Sequence, residues 1–170
     1  MSIRTCVRCA AITSRGTQCT RNTCKYGVHC WQHSRAKGLK LDNSNIDGAG
    51  LGLFATKDFK KNSNVIDYTG EKRTMAELKA EPSDYALEIN KNLVIDARKT
   101  GSSSLGGRAN DCRKANKDQK ECKGNNTKFV IDKVRKKARI KAVKKIKKGD
   151  EVFVGYGQSY WRGGKNKKKK

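Results

Sequence analysis

The stretch Gly48-Ala49-Gly50-Leu51-Gly52-Leu53-Phe54-Ala55 places three glycines at alternate positions ahead of an apolar turn. Its spacing decides between two kinds of fold. A dinucleotide-binding fold needs G-x-G-x-x-G opening a long helix, and this stretch has neither that spacing nor a helical pattern after it. Glycines set this closely instead let backbone approach a ligand, because no Cβ stands in the way.

Outward from this stretch, from Asp42 to Trp161, short apolar runs are broken by Gly, Asn and Lys, the pattern of many short strands joined by polar turns. The strongest strand candidates are Asn64 to Tyr68, Leu93 to Asp96, Lys128 to Asp132, Ala138 to Val143 and Glu151 to Val154, each rich in Val, Ile or Phe. Val134-Arg135-Lys136-Lys137 reads as a hairpin turn. One helix is expected, Thr74 to Ala80, opened by a capping box of Thr74 and Glu77 and closed before Pro82. The lysine-rich end has nothing to bury and is expected to be disordered. Three segments follow: a Cys/His segment over 1–41, a mostly β domain over 42–161 and a tail over 162–170.

The 170 residues suffice for one ordinary domain plus a small appendage. A formal net charge of +24 puts a strongly positive surface over a modest core, and such a field favours polyanions. No run of about 18 apolar residues is present, so no membrane span is expected. The start lacks the apolar core of a secretory signal. The chain is therefore expected in a reducing, intracellular compartment, where seven cysteines argue for metal ligation before disulfides.

Five of those cysteines lie in the first thirty residues with both histidines beside or just beyond them. Structural zinc takes four thiolate or imidazole ligands in a tetrahedron. Cys30 and His33 form a tight C-x-x-H pair, and Cys9 and Cys19 offer the other two ligands across a loop. Cys6 is an alternative to Cys9, and Cys24 is a further candidate; Cys112 and Cys122 could form a bridge or a metal site in principle, but two ligands are too few for zinc and they read as free thiols. The run Cys9-Ala-Ala-Ile-Thr-Ser-Arg-Gly-Thr-Gln-Cys19, followed by Tyr26-Gly27 and Cys30-Trp31-Gln32-His33, resembles a zinc-knob module of large DNA viruses.

Five further motifs occur in order: Gly50-Leu51-Gly52-Leu53-Phe54-Ala55, Tyr68-Thr69-Gly70-Glu71, Val94-Ile95-Asp96-Ala97, Asn110-Asp111-Cys112, and Gly149-Asp150-Glu151-Val152-Phe153-Val154-Gly155-Tyr156-Gly157. Together they resemble the SET domain over about residues 42 to 161. The ending Tyr156-Gly157-Gln158-Ser159-Tyr160-Trp161 looks like that of the small SET enzymes of large DNA viruses.

The resemblance implies a β-clip of short strands with a pseudoknot-like C-terminal part, and the activity of an S-adenosylmethionine-dependent protein-lysine N-methyltransferase. It implies that Gly50, Leu51, Gly52, Tyr85, Asn110, Asp111 and Trp161 hold the cofactor and that Tyr156 and Tyr68 are the catalytic pair, with the Tyr156 hydroxyl orienting the amine. Phe129, Val154 and Tyr160 fall in the substrate channel. Neither Phe129 nor Val154 carries a hydroxyl to hold a water beside the amine, which implies di- or trimethylation.

The chain departs from the family at Gly107-Arg108-Ala109-Asn110-Asp111, where Asp111 stands in place of a histidine and Arg108 where an aromatic is common. Residues 113 to 124 form an insertion, and no cysteine-rich segment follows Trp161, leaving Tyr160 and Trp161 as candidates to close the pockets. The family's commonest substrate is a histone tail, which is basic like this chain; contact with nucleosomal DNA would resolve that conflict. A homodimer is compatible with the reading, as is location in a host nucleus or viral factory. The competing reading is a zinc-containing nucleic-acid-binding protein whose SET fold has lost catalysis.

Overall fold

The computed structural model describes residues 6–13, 15–23, 30, 33, 37–98, 105–112, 122–158 and 160. Cys24, Trp161 and the expected tail at 162–170 lie outside them. In chain order the strands are β1 (Val7–Arg8), β2 (Asn22–Thr23), β3 (Leu39–Asn43), β4 (Leu51–Ala55), β5 (Asn64–Tyr68) and β6 (Glu71–Thr74). Helix α1 (Met75–Ala80) follows, then β7 (Ala86–Asn90), β8 (Leu93–Asp96), a 3-10 turn (Leu105–Arg108), β9 (Thr127–Asp132) and β10 (Lys137–Ala142). They form four small antiparallel sheets, ordered β1-β2, β3-β4, β5-β10-β9 and β6-β8-β7.

The architecture is the mostly β one expected. Its core gathers Leu39 and Leu41 of β3, Leu53 and Ala55 of β4, Val65 and Ile66 of β5, Ile140 of β10 and the C-terminal residues Ile146, Val152 and Val154. β10 shows how a short run commits itself to this core. Ala138, Ile140 and Ala142 are buried, while Lys137 before them and Arg139 between the first two are exposed and Lys141 is half-buried, as a strand of period two requires.

The expected strand at Glu151 to Val154 has no single ladder partner. Val152 donates its N–H to Leu53 O at 2.7 Å and Ala55 donates to Asp150 O at 2.9 Å. Val154 donates to Asn110 O at 2.8 Å, and Thr127 donates to Phe153 O at 2.9 Å. One short segment therefore closes three distant stretches of chain, the pseudoknot-like arrangement expected.

Helix α1 carries the capping box: the Thr74 side chain accepts from the Glu77 backbone and the Glu77 carboxylate accepts from the Thr74 backbone. At six residues it cannot stand alone. Arg73 ties it down, donating to the carbonyls of Glu77 (2.7 Å) and Glu81 (3.0 Å) and, at 2.6 Å, to the Asp96 carboxylate on β8. Arg73 and Asp96 are both buried. Burial pushes the Asp96 carboxyl up, but hydrogen bonds from Ser83, Arg73 and the Arg98 backbone outweigh it and hold the group below the usual carboxylate range.

One expectation is corrected. Cys112 and Cys122 are joined in a disulfide with Cα atoms 5.5 Å apart, whereas the sequence reading left them as free thiols. The number of candidate ligands says nothing of how close two cysteines ten positions apart come in the fold.

Removing one member of the Arg73–Asp96 pair leaves the other charge buried, so Arg73→Ala is expected to destabilise the domain by about 3–5 kcal/mol in urea denaturation. Because the folded Asp96 value is depressed, its contribution is present above the ordinary carboxylate range. It is lost as pH falls through the folded value, and Asp96→Asn should flatten that part of the acid-unfolding curve.

Candidate active site

The site is built around the carboxylate of Glu151. It accepts from the Ser44 hydroxyl and the Asn45 backbone N–H, each at 2.7 Å, and from the Asn110 amide nitrogen at 3.2 Å. The same Asn110 nitrogen lies 3.2 Å from Leu51 O and 3.1 Å from the Ser44 hydroxyl. The glycine stretch is thereby clamped from two sides. A Cβ at Gly52 would displace the Glu151 carboxylate, coming within 2.8 Å of its carbon, and would press on the Ser44 backbone at 3.2 Å. At Gly50 the backbone has φ +73° and nothing lies within 4 Å of where a Cβ would stand, so this edge is open to a ligand.

Asn126 fixes the segment from the other side. Its amide donates to Glu151 O at 2.7 Å and its carbonyl accepts from Phe153 N–H at 2.8 Å, both bonds buried. Asp111 completes the frame, its carboxylate accepting from the Tyr156 backbone and from Asn125, each at 2.9 Å. The residue in the histidine's place thus holds the chain at Tyr156.

A cavity of about 340 Å³ opens beside this frame, walled by Tyr68, Phe129, Tyr156 and Tyr160 with Met75 and Leu87. The rings brace one another: Tyr68 meets Phe129 edge-on at 5.3 Å between centroids, and Tyr156 meets Tyr160 at 4.7 Å. The Tyr68 hydroxyl donates to Tyr85 O at 2.7 Å and the Tyr156 hydroxyl to Ala109 O at 2.9 Å. Burial, and then nearby ionisable groups, push both phenols well above their ordinary range. At neutral pH they are dipoles and not bases, and a phenol that spends its proton on a carbonyl keeps acceptor capacity. Asp84 and Glu88 line the same cavity from exposed positions.

In the N-terminal segment Cys9, Cys19, Cys30 and His33 bring one ligand atom each to within 4.8 Å of the others. His33 Nδ1 lies 3.5 Å from Cys9 Sγ and 3.2 Å from Cys30 Sγ. With Zn–S near 2.3 Å and Zn–N near 2.0 Å, the edges of a zinc tetrahedron are roughly 3.5–3.8 Å, so the cluster fits a zinc ion. Four protein ligands would leave a zinc ion no open position, the arrangement of a structural site. Cys6 is disulfide-bonded and outside the cluster.

Residues 50–157 match the model of the SET domain. The chain belongs to the SET-domain family. It is 29% identical over 139 residues to the N-lysine methyltransferase KMT5A of Xenopus tropicalis, covering 74% of this chain and 38% of that protein. It is 27% identical over 106 residues to the histone-lysine N-methyltransferase ASHH1 of Arabidopsis thaliana, covering 56% of this chain and 21% of that protein. The chain thus spans well under half the length of these relatives.

Within this SET domain Tyr68, Tyr156, Phe129 and Tyr160 converge on one cavity, and Gly50, Leu51, Gly52, Asn110 and Asp111 on the adjoining frame. Tyr85 borders the cavity, its carbonyl holding the Tyr68 hydroxyl, while its ring is 36% exposed with the Arg108 guanidinium 5.4 Å from its centre. Val154 is fully buried behind the wall. Sequence reasoning missed the anchoring role of Glu151 and the lining acids Asp84 and Glu88. The capping box that placed α1 was the available signal for a wall there. Asn126→Ala strands a buried carbonyl and a buried N–H, and each should cost about 1–3 kcal/mol in chemical denaturation.

Proposed function

We propose that this protein is an S-adenosylmethionine-dependent protein-lysine N-methyltransferase acting on histone tails. The observation that carries the reading is the tyrosine-walled cavity with Asp84 and Glu88 at exposed positions on its lining, in a chain whose net charge is +24. The aromatic interior suits the apolar stem of lysine. The two carboxylates suit the basic residues around it, which answers the repulsion that overall charge would create. That relatives bear the names N-lysine and histone-lysine methyltransferase supports the same reaction.

The open backbone at Gly50, with Leu51 and Asn110 beside it, fits a cofactor lying against this edge. Bound there, S-adenosylmethionine supplies an electrophilic methyl group on sulfur. The chain's own residues must then present a neutral amine. Free lysine has a pKa near 10.4 and is charged at pH 7, and burial disfavours the charged form. The Tyr156 oxygen, held by its bond to Ala109 O, accepts from the amine N–H and fixes its direction. Tyr68 lines the same cavity.

We further propose that the Cys9, Cys19, Cys30 and His33 cluster holds one structural zinc, and that Phe129 leaves room for di- and trimethylated product. The ending from Tyr156 to Trp161 supports kinship with the small viral enzymes, and a histone substrate would place the protein at chromatin, in a nucleus or viral factory. Neither reading depends on whether the chain pairs with a second copy.

Tyr156→Phe is expected to lower kcat/KM on a histone-tail peptide by roughly 10²-fold or more, the scale of losing a positioned polar group in a transition state. Its affinity for S-adenosylmethionine in calorimetry should stay unchanged; absence of cofactor binding in the wild type would instead support a SET fold without catalysis. Because the phenols stay protonated, log kcat/KM should rise with pH between 7 and 9 as the free amine becomes available. A falling limb in that window would contradict the assignment. Elemental analysis should find one zinc per chain, lost in Cys30→Ser, with new protease cleavage confined to the first forty residues, since such a segment has little core of its own.

A further inference from the structure

A second cavity, of about 520 Å³, lies on the other side of Tyr68, which lines both. Its walls carry five cations, Lys72 of β6, Arg135 and Lys136 of the β9–β10 turn, and Lys137 and Arg139 of β10, all exposed. Two carboxylates share it. Asp132 is bonded to Arg135, at 3.2 Å to the guanidinium and 2.8 Å to the backbone N–H, and Asp67 lies opposite Arg139 in the sheet register. The groove keeps a clear positive excess.

Lysines on a sheet often protect an edge from pairing with another chain. That explanation fits β9, an edge strand, but not β10, which lies between β5 and β9. Moreover Lys141 of β10 stands directly opposite Lys128 of β9, and like charges in that position destabilise a sheet. From Lys133 to Lys148 the chain has ten Lys and Arg and no acidic residue. The turn stands clear of the body, its tip Val134 being 92% exposed. Lys141 and Lys128 lie beside the groove, in which Lys137 stands opposite Asp132 and Arg139 opposite Asp67; the cations gathered here outnumber those two carboxylates, and the excess suits an external anion.

We propose that this groove docks the phosphate backbone of duplex DNA and so presents a tail that emerges from the duplex to the tyrosine-walled cavity behind Tyr68. The reading rests on the proposed histone-tail activity for its purpose, though not for its location. Duplex is favoured over single strands because the latter bind through stacking on aromatic side chains. Among the described residues lining this groove the only aromatic is Tyr68, which is buried with its hydroxyl bonded to Tyr85 O. Cations without a base-reading element position a backbone and do not read sequence.

The test compares two triple variants of the full chain that remove equal charge: Arg135→Gln/Lys137→Gln/Arg139→Gln in the groove, and Lys144→Gln/Lys147→Gln/Lys148→Gln outside it. Affinity for a labelled mixed-sequence duplex is measured across a salt series, with urea denaturation confirming that both fold. The groove triple should flatten the slope of log affinity against log salt by about 3, at roughly 0.9 per phosphate contact, and a charge-keeping Arg135→Lys/Arg139→Lys double should retain it. Equal losses in both triples, or tighter binding to single-stranded RNA or an acidic peptide than to duplex, would overturn the proposal. Methylation separates this from the enzymatic reading: the groove triple should lose about tenfold on nucleosomes and nothing on the free tail peptide. A wild type that methylates neither, yet binds duplex through this groove, would refute the activity and leave the groove standing.

Discussion

The structure depends on one buried strand segment that is held by everything it separates. Residues 150–154 bond to β4, to Asn110 and to the start of β9, and the Glu151 carboxylate gathers Ser44, Asn45 and Asn110 at its head. A carboxylate that accepts several hydrogen bonds is an economical way to fix loops that have no ladder of their own. Because Tyr156 follows two residues after Val154, the anchoring of this segment also sets the position of the catalytic candidate.

Function follows from the division of labour around that anchor. On one face the polar frame of Glu151, Asn110, Asp111 and Asn126 holds backbone in an open, rigid edge at Gly50. On the other, aromatic rings form a cavity in which burial pushes the Tyr68 and Tyr156 phenols, already neutral at pH 7, further up. Such a site can strip water from an ammonium and hold the resulting amine, but its tyrosines cannot serve as the base. On the proposed reading, the amine's proton leaves to solvent.

Much of this was legible in the residues, and the exceptions have physical causes. β5 and β8 form where apolar runs predict them, and α1 begins at the capping Thr74, because local pattern and tertiary packing agree there. β6, whose sequence is Glu-Lys-Arg-Thr, has no strand pattern; it forms because β8 pairs with it and Arg73 finds Asp96. Glu151 was legible as part of a strand but not as an anchor, since its partners lie about a hundred residues away in sequence. The Cys9, Cys19, Cys30 and His33 set was readable because ligand spacing is local, whereas the Cys112–Cys122 bond required knowing how an insertion returns. Asp111 read as a departure from the family; the structure gives it two donors to accept from.

The most direct test of the central claim is to incubate the protein with methyl-labelled S-adenosylmethionine and nucleosomes, and to map the label by tandem mass spectrometry. The account predicts label on lysine ε-nitrogens of a histone tail. Label on another residue type, or none while the cofactor is bound, would contradict it.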